Sequence, residues 1–408
     1  MGFVRRTSQL SSHTQRQTAV NPGLPSARKP TERRVLVAVI AITTAGVLPV
    51  FLFGGLAVQI SGDLGLTAAA KGQVVFGYFT VSALSSAWSG RMTERFGPPK
   101  LMRAAAVFAG LSSVAVSTAQ SFGWILAAVA MGGLANALAQ PAANALVVHH
   151  VDVSRRGFAL GVKQSAIPVA TLVAGLAVPA VGLTIGWRWA FVGGGVIALA
   201  AALLIPATDE TITVRAKSKL LPGTLRPLLV LSLGSCLGAG VANVLGAFMT
   251  SSAVDAGISP GVAGGLLAAA SALGLGLRLA SGWLADRRDG GHLTAVAFML
   301  IGGGIGIVGM AFDHTTVLVI GTLLAFGSGW SWPGLFNLAV VSYYPRTPAA
   351  ATGITQTGSY AGGAIGPLTM GFLVEQVGYD RAWMFFAAVA VVGGLIVLSA
   401  RRLLEGTT

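Results

Sequence analysis

The sequence predicts an all-α integral membrane protein with twelve transmembrane helices in two pseudo-symmetric six-helix bundles. Three observations carry this. Only 10% of the 408 residues are charged and 54% are apolar, whereas soluble domains carry roughly 25% charge. Twelve segments are long enough to cross a hydrocarbon layer of ~30 Å, which takes about 20 residues each. The chain is also a duplication. Gly90-Arg91-Met92-Thr93-Glu94-Arg95 and Gly282-Trp283-Leu284-Ala285-Asp286-Arg287 spell one motif, Gly-x-x-x-acid-Arg, starting at 90 and 282, an offset of 192. The same offset joins Asp63 to Asp255, Gly72 to Gly264, Pro141 to Pro333, Gly161 to Gly353 and Gln164 to Gln356 without a gap.

Along the chain, residues 1–34 are rich in Ser, Thr, Gln, Arg and Pro. They lack the apolar surface to fold and read as a disordered cytoplasmic tail. The first apolar run starts at Val35, is too long for a signal-peptide core and has no small-residue cleavage site after it, so it reads as a retained span. Spans at 35–60, 72–90, 101–119, 122–148, 157–182 and 187–206 form an N-terminal bundle, 35–206. Residues 207–225, with Asp209, Glu210, Arg215, Lys217 and Lys219, read as a cytoplasmic linker. Spans at 226–252, 262–284, 293–312, 316–341, 350–374 and 382–400 form a C-terminal bundle, 226–402, and 403–408 is a short cytoplasmic tail. The 56 glycines sit inside apolar runs, where small residues let helices pack closely. Pro49 and Pro168 leave carbonyls unpaired and bend the first and fifth spans.

The net charge of +14 would suit a nucleic-acid partner, but the distribution of the basic residues points to topology instead. With the amino terminus inside, the cytoplasmic segments hold twenty-two Lys and Arg, from Arg5 to Arg402. The opposite side holds only Lys71, Arg188 and Arg381. This follows the positive-inside rule with both termini cytoplasmic, in the plasma (inner) membrane. The lipid bilayer is then the expected partner and nucleic acid is not. Cys236 is the only cysteine, so no disulfide framework or cysteine-rich metal site is expected. His149 and His150 beside Asp152 are adjacent at a helix end and diverge, so no metal is assigned.

The two halves and the loop motif between spans 2 and 3 resemble the major facilitator superfamily. The family motif Gly-x-x-x-Asp-Arg-x-Gly-x-x-Lys/Arg stands here as Gly90, Glu94, Arg95, Gly97 and Lys100, and the second copy keeps Gly282, Asp286 and Arg287. The resemblance runs from Val35 to Arg402. It implies a cytoplasmic gate in which these charges bond across the halves, with Asp152, Arg155 and Arg156 resembling their partners. Two departures matter. The fourth span has Val129 where the family often has arginine, and the fifth reads Val178-Pro179-Ala180-Val181-Gly182-Leu183 in place of Gly-Pro-x-x-Gly-Gly. Both remove support for drug–proton antiport.

Polar residues inside spans are costly against lipid and should face protein or a water-filled cavity. Lys163 and Arg278 are the basic residues within spans, and no Asp or Glu lies clearly within one. Lys163 lies roughly 9 Å into the fifth span, within snorkelling reach of the interface. Gln164 and its repeat mate Gln356 stand on the two sides of the symmetry axis. Arg278 has the spacing of the arginine that, by resemblance to monocarboxylate and oxalate carriers, grips a substrate carboxylate. Asn136, Gln140 and Asn144 recur every four residues, along one helical face. Trp330, Trp332 and Asn337 surround a helix break at Pro333, and Asn243 and Tyr360 are weaker candidates.

The expected function is secondary transport of a small organic solute by alternating access, with the two cations favouring an organic anion or carboxylate. The alternatives are a proton-linked drug efflux pump or a non-transporting membrane receptor. No nucleophile–base pair, metal-ligand spacing or Walker loop marks an enzyme. No cofactor is called for, and a monomer is expected.

Overall fold

The computed structural model describes residues 31–152, 155–206, 225–285, 287, 290–345 and 347–405. Most of the tails, the linker 207–225 up to residue 224, and the gate residue Asp286 lie outside the described residues, as does the side chain of Arg156.

The described residues are almost entirely helical. In the first half they form α1 (Glu32–Gly55), α2 (Ala57–Leu64), α3 (Ala68–Phe96), α4 (Pro98–Ser117), α5 (Phe122–His150), α6 (Arg156–Gln164), α7 (Ala166–Ala177) and α8 (Trp187–Ala201). The second half holds α9 (Leu225–Asp255), α10 (Pro260–Ala285), α11 (His292–Met310), α12 (Thr315–Gly327), α13 (Trp332–Tyr343) and α14 (Pro348–Glu405). Local chemistry sets the ends. The Thr67 and Ser121 hydroxyls accept the Ala70 and Trp124 amides at the starts of α3 and α5, at 3.2 and 3.4 Å. At the α3–α4 turn Gly97 takes φ 84°, and Pro98 and Pro99 open α4, where a missing amide costs nothing.

Nine helices among the described residues are long and apolar enough to cross a bilayer. Two of these are double crossings, the 47 residues of Phe158–Leu204 and the 55 of Ala350–Leu404. Either would run roughly 70–80 Å if straight, more than twice the hydrocarbon layer. Each is broken at a glycine of positive φ, Gly186 at 102° and Gly378 at 81°. The first break follows a π-helical segment, Val178–Gly186. The remaining crossing, α3, has 29 residues but too many polar ones, among them Ser82, Ser85, Ser86 and Ser89, to stand out by hydropathy. Counted in this way, the described residues are consistent with twelve crossings.

Three buried apolar clusters lie within one half each, two in the first and one in the second. The largest is shared, and brings Phe51, Phe79 and Val178 of the first half together with Phe248, Leu267 and Trp330 of the second. Glycine allows the halves to meet there. A Cβ on Gly54 would lie 2.6 Å from the Gly246 carbonyl, one on Gly175 2.6 Å from that of Gly264, and one on Gly72 would overlap the Pro367 carbonyl. All three approaches lie toward the face opposite the chain termini, called here the far face.

Candidate functional site

Between the halves is a cavity of about 100 Å³. From the first half it is lined by Val47 and Phe51 of α1, Phe79 of α3, Asn136 and Gln140 of α5, and Gln164 and Ile167 at the α6–α7 junction. The second half contributes Asn243 of α9, Arg278 of α10, Trp330 to Asn337 around the α12–α13 break, and Gln356, Ser359 and Tyr360 of α14. Ten residues singled out from the sequence meet here: Asn136, Gln140, Gln164, Asn243, Arg278, Trp330, Trp332, Asn337, Gln356 and Tyr360. Sequence reasoning missed Phe51, Phe79 and Phe336, because an aromatic ring in an apolar span carries no polarity signal to separate a lining position from a packed one.

Helix breaks build this site. Pro168 has no amide to close the α-helical turn onto the Gln164 carbonyl, and α6 gives way to α7 at Ser165. Pro333 in the first turn of α13 similarly ends the run of α12. Arg278 is buried and reaches both breaks: Nη1 donates to the Gln164 carbonyl and Nη2 to the Trp330 carbonyl. Its Nε has no acceptor among the described residues. The guanidinium therefore joins the halves and is the charged group of the cavity; no Asp or Glu is among the described lining residues.

The polar wall opposite is fixed by a hydrogen-bonded series. Gln140 Nε2 donates to Asn136 Oδ1 at 3.1 Å, Asn136 Nδ2 to Ser82 Oγ at 3.3 Å, and Ser82 Oγ to the Gly133 carbonyl at 2.9 Å. On α9, Asn243 donates to the Ala239 carbonyl at 2.8 Å, leaving its Oδ1 for the cavity. Trp330 is held edge-on by Phe51 of the other half, 6.1 Å between centroids, and by Phe326 at 4.7 Å.

Lys163 does not line the cavity. Its Nζ donates to Asn144 Oδ1 at 2.7 Å within the first half, and its side chain is buried. Lysine and the third residue of the α5 stripe thus satisfy each other, and only Asn136 and Gln140 of that stripe face the cavity.

The loop-motif residues sit at the face of the chain termini. Glu94 and Arg95 are exposed, and the guanidinium of Arg95 lies 5.3 Å from the ring centroid of Phe96. Arg287 lies 3.6 Å over the Trp283 ring and donates to its carbonyl. Arg155 pairs with Glu32 at 3.2 Å, within its own half. Nothing lies within 4 Å of a Cβ built on Gly90 or Gly282, and among the described residues no ion pair of Glu94, Arg95 or Arg287 crosses the halves. Asp152 is exposed and has contacts of its own.

At the far face polar contacts do cross. Glu375 of α14 accepts the Ala69 amide of α3, and buried Lys71 donates to Ser251 Oγ of α9 at 3.2 Å. Within the first half at the same face, Arg188 pairs with Asp63, which also accepts Trp187 Nε1 at 3.0 Å. These contacts were not foreseen, since each residue alone reads as a loop charge.

Comparison with known proteins agrees with this architecture. The family model for the Major Facilitator Superfamily matches residues 35–340 and 231–406. Over 149 residues, 33% of this chain, the sequence is 33% identical to an uncharacterized MFS-type transporter of Mycobacterium tuberculosis. Over 150 residues, 37% of this chain, it is 29% identical to the niacin transporter NiaP of Acinetobacter baylyi. The chain spans 26% and 34% of the length of these two curated relatives. In structure it is similar to a bacterial homologue of the human lysosomal transporter Spinster, in an inward-facing and occupied conformation. The TM-score is 0.64 at 17% identity, covering 92% of this chain and 97% of the other.

Proposed function

Because the chain belongs to the major facilitator superfamily, we propose that it is a secondary transporter that moves a small organic anion, of the carboxylate class, by alternating access. One observation carries the substrate class. Arg278 is the charged group of the cavity between the halves, its Nε lacks an acceptor, and no described lining residue is a carboxylate. A buried guanidinium without a carboxylate partner leaves an electrostatic vacancy that an anion fills, and its planar donor fork matches two carboxylate oxygens. Aromatic neighbours suit the apolar remainder of such a solute. The niacin transporter supports the same class, since niacin is a small aromatic monocarboxylate.

The far face is extracellular in this reading, because the basic residues concentrate on the face of the termini. Close glycine approaches and the Glu375 and Lys71 contacts seal the outer side, while the gate residues Glu94, Arg95 and Arg287 stay within their own halves. That pattern supports an inward-facing state, the state of the similar Spinster homologue. In the outward-open state the Gly90 and Gly282 helix ends close on the opposite half.

Counterflow tests the reading. Liposomes holding the full-length chain and unlabelled nicotinate accumulate external labelled nicotinate if the protein is a carrier. A receptor binds without accumulation. Transport of organic cations or neutral drugs with none of anions would replace this reading by efflux through the aromatic lining.

A further inference from the structure

Arg278 is committed in the empty cavity. Its terminal nitrogens are held by the Gln164 carbonyl of the first half and the Trp330 carbonyl of the second. The first of these acceptors is available because residue 168, whose amide would close the helical turn onto Gln164, is proline. The same helices meet twice more toward the far face: Ser271 Oγ and Thr171 Oγ1 are 2.9 Å apart, and Gly264 packs on Gly175. Arg278 and Gln164 therefore form the charged end of a seam between α10 and the α6–α7 segment, and they border the solute cavity.

We propose that Arg278 couples solute occupancy to this seam: an anion in the cavity takes the N–H that the empty protein gives to the Gln164 carbonyl, and so unties the two halves at that point. This rests on the anion reading of the site. Carboxylate is the stronger acceptor of a charged donor, and the guanidinium keeps its Trp330 bond as a pivot within its own half. The empty carrier is tied and changes state slowly; the loaded carrier is untied and changes state readily. Exchange of anion for anion is then faster than net efflux. A ligand drives such a change only through differential interaction with the two states, and here the differential term is one hydrogen bond.

Full-length protein in liposomes, with labelled nicotinate as probe, tests this. Pro168→Ala gives the Gln164 carbonyl an amide partner of its own and alters no cavity-lining side chain. The KM for nicotinate falls and the ratio of net efflux to exchange rises, each by about tenfold, the scale of one hydrogen bond to a charged group. A second readout leaves Pro168 in place. A Cβ on Gly334 lies 3.8 Å from the Gly161 Cα in the other half, so Gly161→Cys with Gly334→Cys, in a Cys236→Ala background, cross-links across this region. Saturating nicotinate slows that cross-linking. A shift in either readout supports the coupling. If wild-type exchange is present and neither readout shifts, Arg278 binds solute without untying the seam and the proposal is overturned. If wild-type protein exchanges no nicotinate, it falls together with the anion reading.

Discussion

Glu375 caps α3 from the opposite half of the molecule: its Oε1 accepts the Ala69 amide at 2.8 Å, across 306 positions of sequence. The cap places a negative charge at a helix N-terminus, where it is favourable. It also exists only while the far face is closed. Glu375→Ala therefore shifts the protein toward the far-side-open state. In a Cys236→Ala background, Ser251→Cys, buried at the same face, reacts slowly with an impermeant thiol reagent added outside, and several times faster once Glu375 is alanine.

The same carboxylate gives the closure a pH dependence. Bonds from the Thr67 hydroxyl first, and then from the Ala69 amide, hold its pKa below the ordinary 4.5. A depressed carboxylate pKa contributes stability that is present above the ordinary value and lost as pH falls through the lowered one. The ratio of labelling at position 251 with Glu375 present to that in Glu375→Gln is thus constant from neutral pH down to about 4.5 and rises below it, the ionisation of the thiol itself cancelling between the two proteins.

Gly72 sits where a methyl group would overlap the Pro367 carbonyl of the other half. Overpacking of this kind costs ~1–3 kcal/mol, and here the cost falls on the closed far face alone. Gly72→Leu accordingly keeps each half folded but shifts the population away from this state by about 5- to 150-fold. Transport is lost while the protein still purifies as a folded species, and thiol labelling at position 251 rises.

Lys163 and Asn144 form a pair removed from the cavity, at 2.7 Å. Lys163→Met and Asn144→Leu each lower the melting temperature, and the double variant is less destabilised than the sum, with coupling of about 1–3 kcal/mol. The nicotinate KM of Lys163→Met stays within about twofold of wild type, since no uniform binding interaction is removed.

Most of the architecture was legible because bilayer physics leaves few options: length and apolarity specify spans, and the 192-residue register specifies the halves. Hydropathy fails at α3, where serines face other helices and only the repeat and the motif mark a crossing. The cavity was partly legible, because Asn136, Gln140, Gln164 and Arg278 are too polar to face lipid. It could not be read that Lys163 turns to Asn144 while Arg278 turns to the axis, as both are cations at similar depth and orientation depends on packing. Glu375 was hidden for a related reason: its partner is a backbone amide in the other half, and backbone amides leave no trace in sequence.

The central claim is that an anion is held by Arg278 in the cavity between the halves. Binding of labelled nicotinate to purified full-length wild type, Arg278→Lys and Arg278→Gln tests it most directly. Wild type binds saturably, Arg278→Lys weakens binding by about tenfold through loss of the planar fork, and Arg278→Gln by about 100-fold or more, while an organic cation of the same size binds none of the three. Equal nicotinate affinity in wild type and Arg278→Gln, with both proteins folded, would contradict the account.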